Sequence, residues 1–308
     1  MHVRFGPGVT GKGPAQCRNL ASGLPALEQL GSEKAPVRLG GLYALERLAQ
    51  KNPDQRQTIV NVLCAYLRMP YTLPDTSLGD DADHDTHSLH EKRFQEREVR
   101  LTAQRILTAH LNSGPDPVQP MDTFWGTIDL DLTGATLIDF TLTECRISTG
   151  RFTGATFIGN ARFSGAMFTG DALFNRTTFT REAEFNRATF AYGALFAVAT
   201  FAKEARFSGA MFTGDTLFSL ATFASEARFL GTTFTEQAAF NRATFAYGAL
   251  FNRATFTGDA VFSLATFAKG AGFSGATFTK SVGFDGAIFT AGVPSEVARF
   301  IAPLDEAR

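Results

Sequence analysis

The chain has 308 residues, of which 44% are hydrophobic and 19% charged, and its formal net charge at pH 7 is -1. This length is enough for one elongated domain plus a smaller one, and the near-zero charge gives no general electrostatic reason to expect a nucleic acid or an acidic membrane surface as partner. The three cysteines, Cys17, Cys64 and Cys145, are scattered and odd in number, which is untypical of a disulfide framework and fits a reducing compartment.

Residues 1–23 are predicted to form an irregular N-terminus. They lack the apolar segment of about 7–15 residues that a signal peptide requires, and no apolar run in the sequence approaches the roughly 20 residues that span a bilayer. We therefore expect a cytoplasmic protein with no transmembrane segment. Gly6–Gly11 fits the GxGxxG nucleotide-binding pattern, but no strand precedes it and Pro7 removes one amide that would contact phosphate. No cofactor site is predicted.

Residues 24–112 are predicted to form a small helical module. Its apolar residues recur on one face of each predicted helix, the spacing of an amphipathic helix. Asn52-Pro53 is typical of a helix start, with Asn as the capping residue and Pro in the first helical position. The last helix is predicted over Phe94–Leu111. The apolar positions that define the three main helices are Leu39, Leu42, Leu45, Leu48, Ile59, Val60, Leu63, Leu67, Val99, Ala103, Ile106 and Leu107.

Within this module, residues 69–92 are predicted to be an acidic, histidine-containing loop. Histidines three residues apart could meet on one face of a helix, and His with Asp is a metal-binding combination. Four acids within six residues and the lack of an apolar face indicate instead a solvated segment, so we predict no metal site. The residues concerned are Asp80, Asp81, Asp83, His84, Asp85, His87 and His90.

A Pro-rich linker is predicted over residues 113–127, followed by a repetitive region over 128–290. An apolar residue recurs every five positions from Leu132 to Phe157, and phenylalanine then recurs with alternating spacings of five and six up to Phe289. Such a regular 11-residue period indicates stacked units. A small residue, mostly alanine, stands two positions before each phenylalanine. This alternation is typical of a strand, and the pairs that follow, such as Thr-Gly and Asn-Arg, are typical of turns.

A helical interpretation of the repeats is less consistent with the pattern. Phenylalanines at positions 0, 5, 11 and 16 fall into two stripes about 140° apart on a helical wheel, not into one core stripe. The repeats are also rich in Thr, Phe and Gly, which suit strands and turns better than helices.

The pattern of a small residue, any residue, Leu or Phe and two further residues resembles the pentapeptide-repeat family over about residues 128–290. The resemblance implies a mainly β fold, a right-handed four-sided β-helix with one pentapeptide per face. The later alternation of five and six implies coils of 22 residues instead of 20. The stretches Val37–Arg47 and Ile128–Leu137 look similar to a group of actinobacterial pentapeptide-repeat proteins. Many members of that group carry transmembrane helices before the helical segment, and this sequence has none.

An open solenoid exposes strand edges at both ends, which need to be covered. Residues 291–308 are predicted to be a C-terminal cap, with Val297, Phe300 and Ile301 as its apolar residues. The linker with Phe124 and Trp125 is predicted to cover the other end.

No catalytic constellation emerges from the sequence. The repetitive region contains no histidine, and its carboxylates fall at corners or at neighbouring outward positions, where solvent contact is expected. We predict that the protein is not an enzyme.

One outward column offers a candidate interaction surface. With 22 residues per coil, one face presents a partly apolar stripe, and exposed apolar patches of a few hundred Å² often mark protein contacts. The alternative is that the helices of the chain cover this stripe. The predicted stripe contains Leu173, Leu195, Leu217, Ala239 and Val261, with Val198, Leu220 and Leu264 at neighbouring corners. We predict a scaffold or interaction protein that binds an unidentified protein, a second copy of the chain being one candidate, and no nucleic acid.

Two alternative functions follow from the resemblance and from the threonine pattern. Some pentapeptide-repeat proteins inhibit a type II topoisomerase by mimicking DNA, which requires an acidic surface. The region from Ile128 to Phe289 instead has 7 Asp and 6 Glu against 10 Arg and 3 Lys, a net charge of zero. A threonine column from Thr156 to Thr266 at 22-residue spacing resembles ice-binding solenoids, but threonine also packs well in stacked strands.

Overall fold

A computed structural model describes residues 23–74, 83–114 and 119–301. The predicted irregular N-terminus up to residue 22, the Gly6–Gly11 motif and residues 302–308 of the predicted cap lie outside the described residues. So do residues 75–82, which include Asp80 and Asp81.

Four α-helices form the N-terminal part of the described chain. They are α1 over 23–30, α2 Ala35–Lys51, α3 Arg56–Arg68 and α4 His84–Leu111, with a 3-10 turn Pro53–Gln55 between α2 and α3. Their apolar faces meet in one core, in which Leu45, Leu63 and Leu107 are almost completely buried. Asn52 does not cap α3 with its side chain. Its amide instead donates to Leu48 O at 2.8 Å, at the C-terminal end of α2.

The helix α4 begins earlier than the sequence predicted. Residues 84–92, interpreted above as part of a loop, are helical. Asp83 caps this helix, because its Oδ1 accepts a hydrogen bond from Thr86 N at 2.8 Å. Hydrogen bonding to the side chain and the backbone of Thr86 holds the pKa of Asp83 below its usual range. The loop prediction was wrong because it assumed that a helix here would need an apolar face. The first turns of α4 project into solvent and do not need one.

From residue 128 onward the chain forms a parallel β-solenoid of about seven turns. Short strands stack in four ladders, one for each face. The first strands are Ile128–Asp131, Thr136–Ile138, Arg146–Arg151, Thr156–Ile158 and Ala161–Arg162. Arg146–Arg151 belongs to two of the ladders, here called face 1 and face 2, and Ile128–Asp131 pairs with it on the N-terminal side.

The later strands are two residues long. Face 1 contains Met167–Phe168, Thr189–Phe190, Met211–Phe212, Thr233–Phe234, Thr255–Phe256 and Thr277–Phe278. Face 2 contains Ala172–Leu173, Ala194–Leu195, Thr216–Leu217, Ala238–Ala239, Ala260–Val261 and Val282–Gly283. Face 3 continues from Thr156–Ile158 with Thr178–Phe179, Thr200–Phe201, Thr222–Phe223, Thr244–Phe245, Thr266–Phe267 and Ile288–Phe289. Face 4 continues from Ala161–Arg162 with Ala183–Glu184, Ala205–Arg206, Ala227–Arg228, Ala249–Leu250 and Ala271–Gly272.

The strand register confirms the predicted change of coil length. Thr136 pairs with Thr156, 20 residues later, and Thr156 pairs with Thr178, 22 residues later. Every later pair on the four faces keeps the 22-residue step, as between Thr200 and Thr222. Because the step is constant, residues 22 apart stand directly above one another, and each face is a set of straight columns.

Phenylalanine rings fill the interior of the solenoid. Rings one coil apart stack almost parallel, as Phe174 and Phe196 do at a centroid distance of 4.8 Å and an interplanar angle of 2°. Rings from the opposite faces 2 and 4 meet edge to face across the interior, as Phe174 and Phe185 do at 5.5 Å and 86°. Both geometries are favourable for aromatic pairs. All of these side chains up to Phe273 are almost completely buried, so the phenylalanine core is the main source of stability.

The corners after faces 2 and 4 require a left-handed backbone. In the corner after face 2, one residue per coil has φ between 56° and 68°, a region that glycine enters freely and other residues enter at a cost. This column contains Gly154, Arg176, Val198, Leu220, Arg242, Leu264 and Gly286. In the corner after face 4, the column contains Gly165, Arg187, Gly209, Gly231, Arg253 and Gly275.

The helical module packs on the first coil. Gln104 of α4 bonds both the amide and the carbonyl of Ile138, at 2.9 and 2.7 Å, and Gln57 of α3 likewise bonds both backbone groups of Asp129. These side chains satisfy backbone groups at the N-terminal edge of the solenoid that have no preceding strand. Trp125 lies at this junction, stacked on His110 at 3.9 Å.

The C-terminal end carries a short 3-10 turn, Ala298–Phe300. Val297, just before it, is fully buried, and the ring of Phe300 meets that of Phe278 edge to face at 5.5 Å. Apolar contacts therefore cover part of the last coil.

Replacing Gly258 with alanine is expected to destabilise the solenoid by about 1–3 kcal/mol. A Cβ at this position would lie 2.2 Å from the backbone oxygen of Glu236 in the preceding coil, so the two coils would have to separate. The matched control is Gly248→Ala, whose Cβ would meet only the flexible side chain of Glu226 at 3.5 Å. Urea unfolding followed by circular dichroism measures both changes, and equal stability of the two variants would contradict this account of the coil contact.

Candidate functional site

The predicted apolar stripe forms a straight column along face 2. Leu173, Leu195, Leu217, Ala239 and Val261 are paired in register, each with the next, in successive coils. The predicted alignment is thus confirmed. Ala239 is buried and the four larger side chains are half-buried, each presenting its outer part on the face.

Three apolar side chains border this column at the corner after face 2. Val198 is 47% exposed, Leu220 52% and Leu264 49%. They widen the stripe on the side toward face 3. These corner residues and the column are here called the face 2 patch.

Tyr192 extends the face 2 patch at its other corner and was missed by the sequence analysis. Its side chain is 62% exposed, on the turn that leads to Leu195, and Met211 of face 1 is 46% exposed in the next coil. The sequence does contain a signal. At this corner, residues 22 apart in the sequence form one column. Glycine occupies every second coil of the column, at Gly170, Gly214 and Gly258, and larger residues occupy the coils between them. Tyr192 is the one aromatic residue in this column.

The described helices do not extend over the face 2 patch. Their hydrogen bonds to the solenoid, from side chains of α3, α4 and Asn112, reach backbone atoms of residues 129–143 in the first coil. Val198, Leu220 and Leu264 lie further along the solenoid and are about half exposed. Within the described part of the chain, the patch is therefore an open surface.

In the coils from Leu173 to Val261, the two edges of face 2 carry opposite charges. Asp171, Asp215, Glu236 and Asp259 lie on the corner before the face, which we call the acidic rim. Arg176 and Arg242 lie on the corner after it, which we call the basic rim, and both are exposed. Asp171 also supports the turn above it, because its Oδ1 accepts a hydrogen bond from Gly193 N at 3.1 Å.

Face 4 carries a charged ladder in place of an apolar one. Arg206 forms ion pairs with Glu182 at 3.1 Å and with Glu204 at 2.5 Å, and Arg228 reaches Glu204 at 2.7 Å and also contacts Glu226. The hydrogen bond from Arg206 holds the pKa of Glu204 below its usual range. These ion pairs join successive coils and neutralise one another's charges. The charged side chains of this face therefore need no ligand to explain them.

The threonine columns are aligned as predicted, from Thr156 to Thr266 on face 3. A second set of threonines, one position after phenylalanine, uses its hydroxyl groups internally. Thr213 Oγ1 donates to Phe190 O at 3.0 Å and Thr180 Oγ1 to Phe157 O at 2.9 Å, each in the preceding coil. These hydroxyls stabilise the stacking of coils.

Two cysteines of the described chain are chemically protected. Cys64 and Cys145 are free thiols with 0% exposure, and burial raises the pKa of each to about 12. A buried, protonated thiol is a poor nucleophile.

Among the residues described, no group of His, Cys, Asp or Glu side chains is placed to hold a metal ion. A membrane-crossing helix, which must be both long and apolar, is likewise not found in residues 23–74, 83–114 and 119–301.

Comparison with known proteins places the repeats in a family. Residues 132–178, 174–219 and 251–294 each match the family model described as pentapeptide repeats (9 copies). No curated protein and no solved structure matches the chain.

Proposed function

Because this chain belongs to the pentapeptide-repeat proteins, we propose that it is a non-enzymatic scaffold or interaction protein and that the face 2 patch is its protein-binding surface. The solenoid supplies a rigid, straight surface, since its columns keep one register from coil to coil. The helical module closes one end and leaves the patch open to a partner.

The observation that carries this proposal is the choice of residues at the left-handed corners. After face 4, this backbone conformation is held by glycine, arginine and, in the first coil, Glu144, whereas after face 2 it is also held by Val198, Leu220 and Leu264. A left-handed conformation costs a residue with a Cβ about 1–2 kcal/mol, and most for a β-branched one such as valine. The strained side chains are apolar and about half exposed. Backbone strain combined with exposed apolar surface is typical of a functional site.

The chemistry of the solenoid supports a non-enzymatic role. No histidine occurs in residues 128–290. The glutamates that stand closest together on face 4 pair with Arg206 and Arg228. Arginine remains protonated at physiological pH, so these pairs do not form an acid–base couple.

The two alternative functions gain no support from particular residues. DNA mimicry requires successive acidic positions, but on face 4 Glu184 is followed in the same column by Arg206 and then by Arg228. Ice binding requires a regular double row of free hydroxyls. On face 3 the second row, one position after each phenylalanine, contains Ala202, Ala224, Ala246 and Ala268 in place of threonine. Thr180 in the same row donates its hydroxyl group to a backbone carbonyl, so this hydroxyl is not free.

Site-specific photo-crosslinking tests the proposal. A photoreactive phenylalanine analogue is placed at Leu195 on face 2 or at Leu250 on face 4, in cells that produce the full chain natively. The control is closely matched, because Phe185–Phe196 and Phe240–Phe251 have the same sequence. We expect one discrete adduct, identified by mass spectrometry, from position 195 and none from position 250. No adduct from 195, or the same adduct from both positions, would overturn the proposal.

A further inference from the structure

We infer that a second copy of this chain binds the face 2 patch, side by side and parallel, with the two-fold axis running along the solenoid. The inference rests on the proposed function of face 2 and names its partner. Its basis is the arrangement of apolar column, acidic rim and basic rim on one flat face.

The regular register makes the face self-complementary. A two-fold axis along the column turns one face onto the other and keeps every coil at its own level. The side chain of Leu195 then meets the partner's Leu195, and the same holds at Leu173 and Leu217. At the level of Leu195, the exposed ring of Tyr192 comes opposite the partner's Val198. Side chains that each copy leaves about half exposed are buried together.

The rim charges select the parallel arrangement. The same axis exchanges the two edges of the face, so the acidic rim of one copy lies over the basic rim of the other. Asp171 comes opposite the partner's Arg176, and Glu236 opposite the partner's Arg242, because each pair lies on one coil. An antiparallel arrangement, with the axis across the face, would instead place acidic rim against acidic rim. Like charges brought together in an interface repel each other and disfavour that arrangement.

The size of the face predicts a weak dimer. Five coils, from Leu173 to Val261, extend over about 24 Å at the usual spacing of about 4.8 Å between strands. With a width of about 15 Å including the corners, each copy buries about 360 Å², or about 700 Å² for the pair. This lies below the roughly 1,200 Å² of standard interfaces, so the dimer should depend on concentration.

Cysteine cross-linking tests the arrangement at three levels. Leu173→Cys, Leu217→Cys and Val261→Cys are made separately in a Cys17→Ser background, since Cys64 and Cys145 are buried. A short bis-maleimide spans about 10 Å, the separation of packed sheets. We expect each of the three variants to form cross-linked dimers on its own, and Leu250→Cys on face 4 to form none. An antiparallel dimer would link only Leu217→Cys with itself and would link Leu173→Cys to Val261→Cys in a mixture. That result, or no dimer in any variant, would overturn the inference.

Charge reversal provides an independent test by sedimentation equilibrium. Glu236→Lys or Arg242→Glu alone should weaken the dimer by roughly 3–10-fold, and the two together should restore it, since they re-create the pair with opposite sign. A tighter dimer from Glu236→Lys would indicate that acidic rims face each other and would overturn the parallel arrangement. If the wild type does not dimerise, yet photo-crosslinking at Leu195 links a different protein, the inference fails and the proposed function of face 2 stands.

Discussion

Replacing Phe218 with alanine is expected to lower the free energy of unfolding of the solenoid by about 3–5 kcal/mol. Phe218 is fully buried at the middle of the phenylalanine core. Its ring stacks between Phe196 at 4.8 Å and Phe240 at 5.0 Å. It also meets Phe207 and Phe229 edge to face, at 5.3 and 5.5 Å. Truncation therefore removes contacts in three coils and leaves a cavity that rigid neighbouring strands cannot fill.

Urea unfolding followed by far-ultraviolet circular dichroism measures this loss. Thr222→Ala is the control, because Thr222 lies four residues away on the outward side of face 3. We expect a change within about 0.5 kcal/mol for this surface position. An equal loss in the two variants would contradict the assignment of inward and outward residues. Because a solenoid can unfold in segments, a broadened transition for Phe218→Ala would also be consistent with local loss of the core.

The second large effect is expected at Arg100 in the helical module. Its side chain is 1% exposed, and its guanidinium donates to Glu96 at 2.9 Å. It also donates to Leu67 O at 3.0 Å and to Met69 O at 2.7 Å, two carbonyls at the end of α3 that have no helical partner. The ring of Tyr71 lies 4.7 Å from the charge. Arg100→Met keeps most of the volume but leaves the two carbonyls without a donor and removes the buried charge partner of Glu96, which keeps Tyr66 and Arg38. The expected cost is about 3–5 kcal/mol.

Trp125 provides the probe for this change, since it is the single tryptophan of the chain and is buried between the helices and the solenoid. The control is Arg97→Met on the same helix. Arg97 pairs with Glu98 at 3.0 Å in a partly exposed position, where an ion pair contributes about 0–1 kcal/mol. If Arg100→Met unfolds at the same denaturant concentration as the control, Arg100 does not hold α3 and α4 together.

The solenoid could be predicted from the sequence because its period is a direct consequence of geometry. Each face must point one large residue inward, so these residues recur at an interval equal to the number of residues in a face. The phenylalanine spacing therefore predicted both the strands and the 22-residue register. The alignment of Leu173, Leu195 and Leu217 followed from the same register.

Other features could not be derived from periodicity. The start of α4 depends on a single capping contact between Asp83 and Thr86, in a segment without an apolar pattern. The docking of the helices on the first coil depends on side chains such as Gln104, whose partners are backbone atoms 34 residues away. The left-handed conformation of Val198 was not predicted either, since valine is disfavoured there. The stripe itself was predicted, and the strained backbone at its corner is the structural observation that favours it as the functional surface.

Size-exclusion chromatography with light scattering, at loading concentrations from about 10 µM to about 500 µM, tests whether face 2 mediates association. We expect the mass of the wild type to rise with concentration from near 33.3 kDa toward that of a dimer. The double variant Leu195→Lys/Leu217→Lys should remain a monomer, and Leu250→Lys should behave as the wild type. A wild type that is monomeric at every concentration, or a dimer that the double variant leaves intact, would contradict association through face 2.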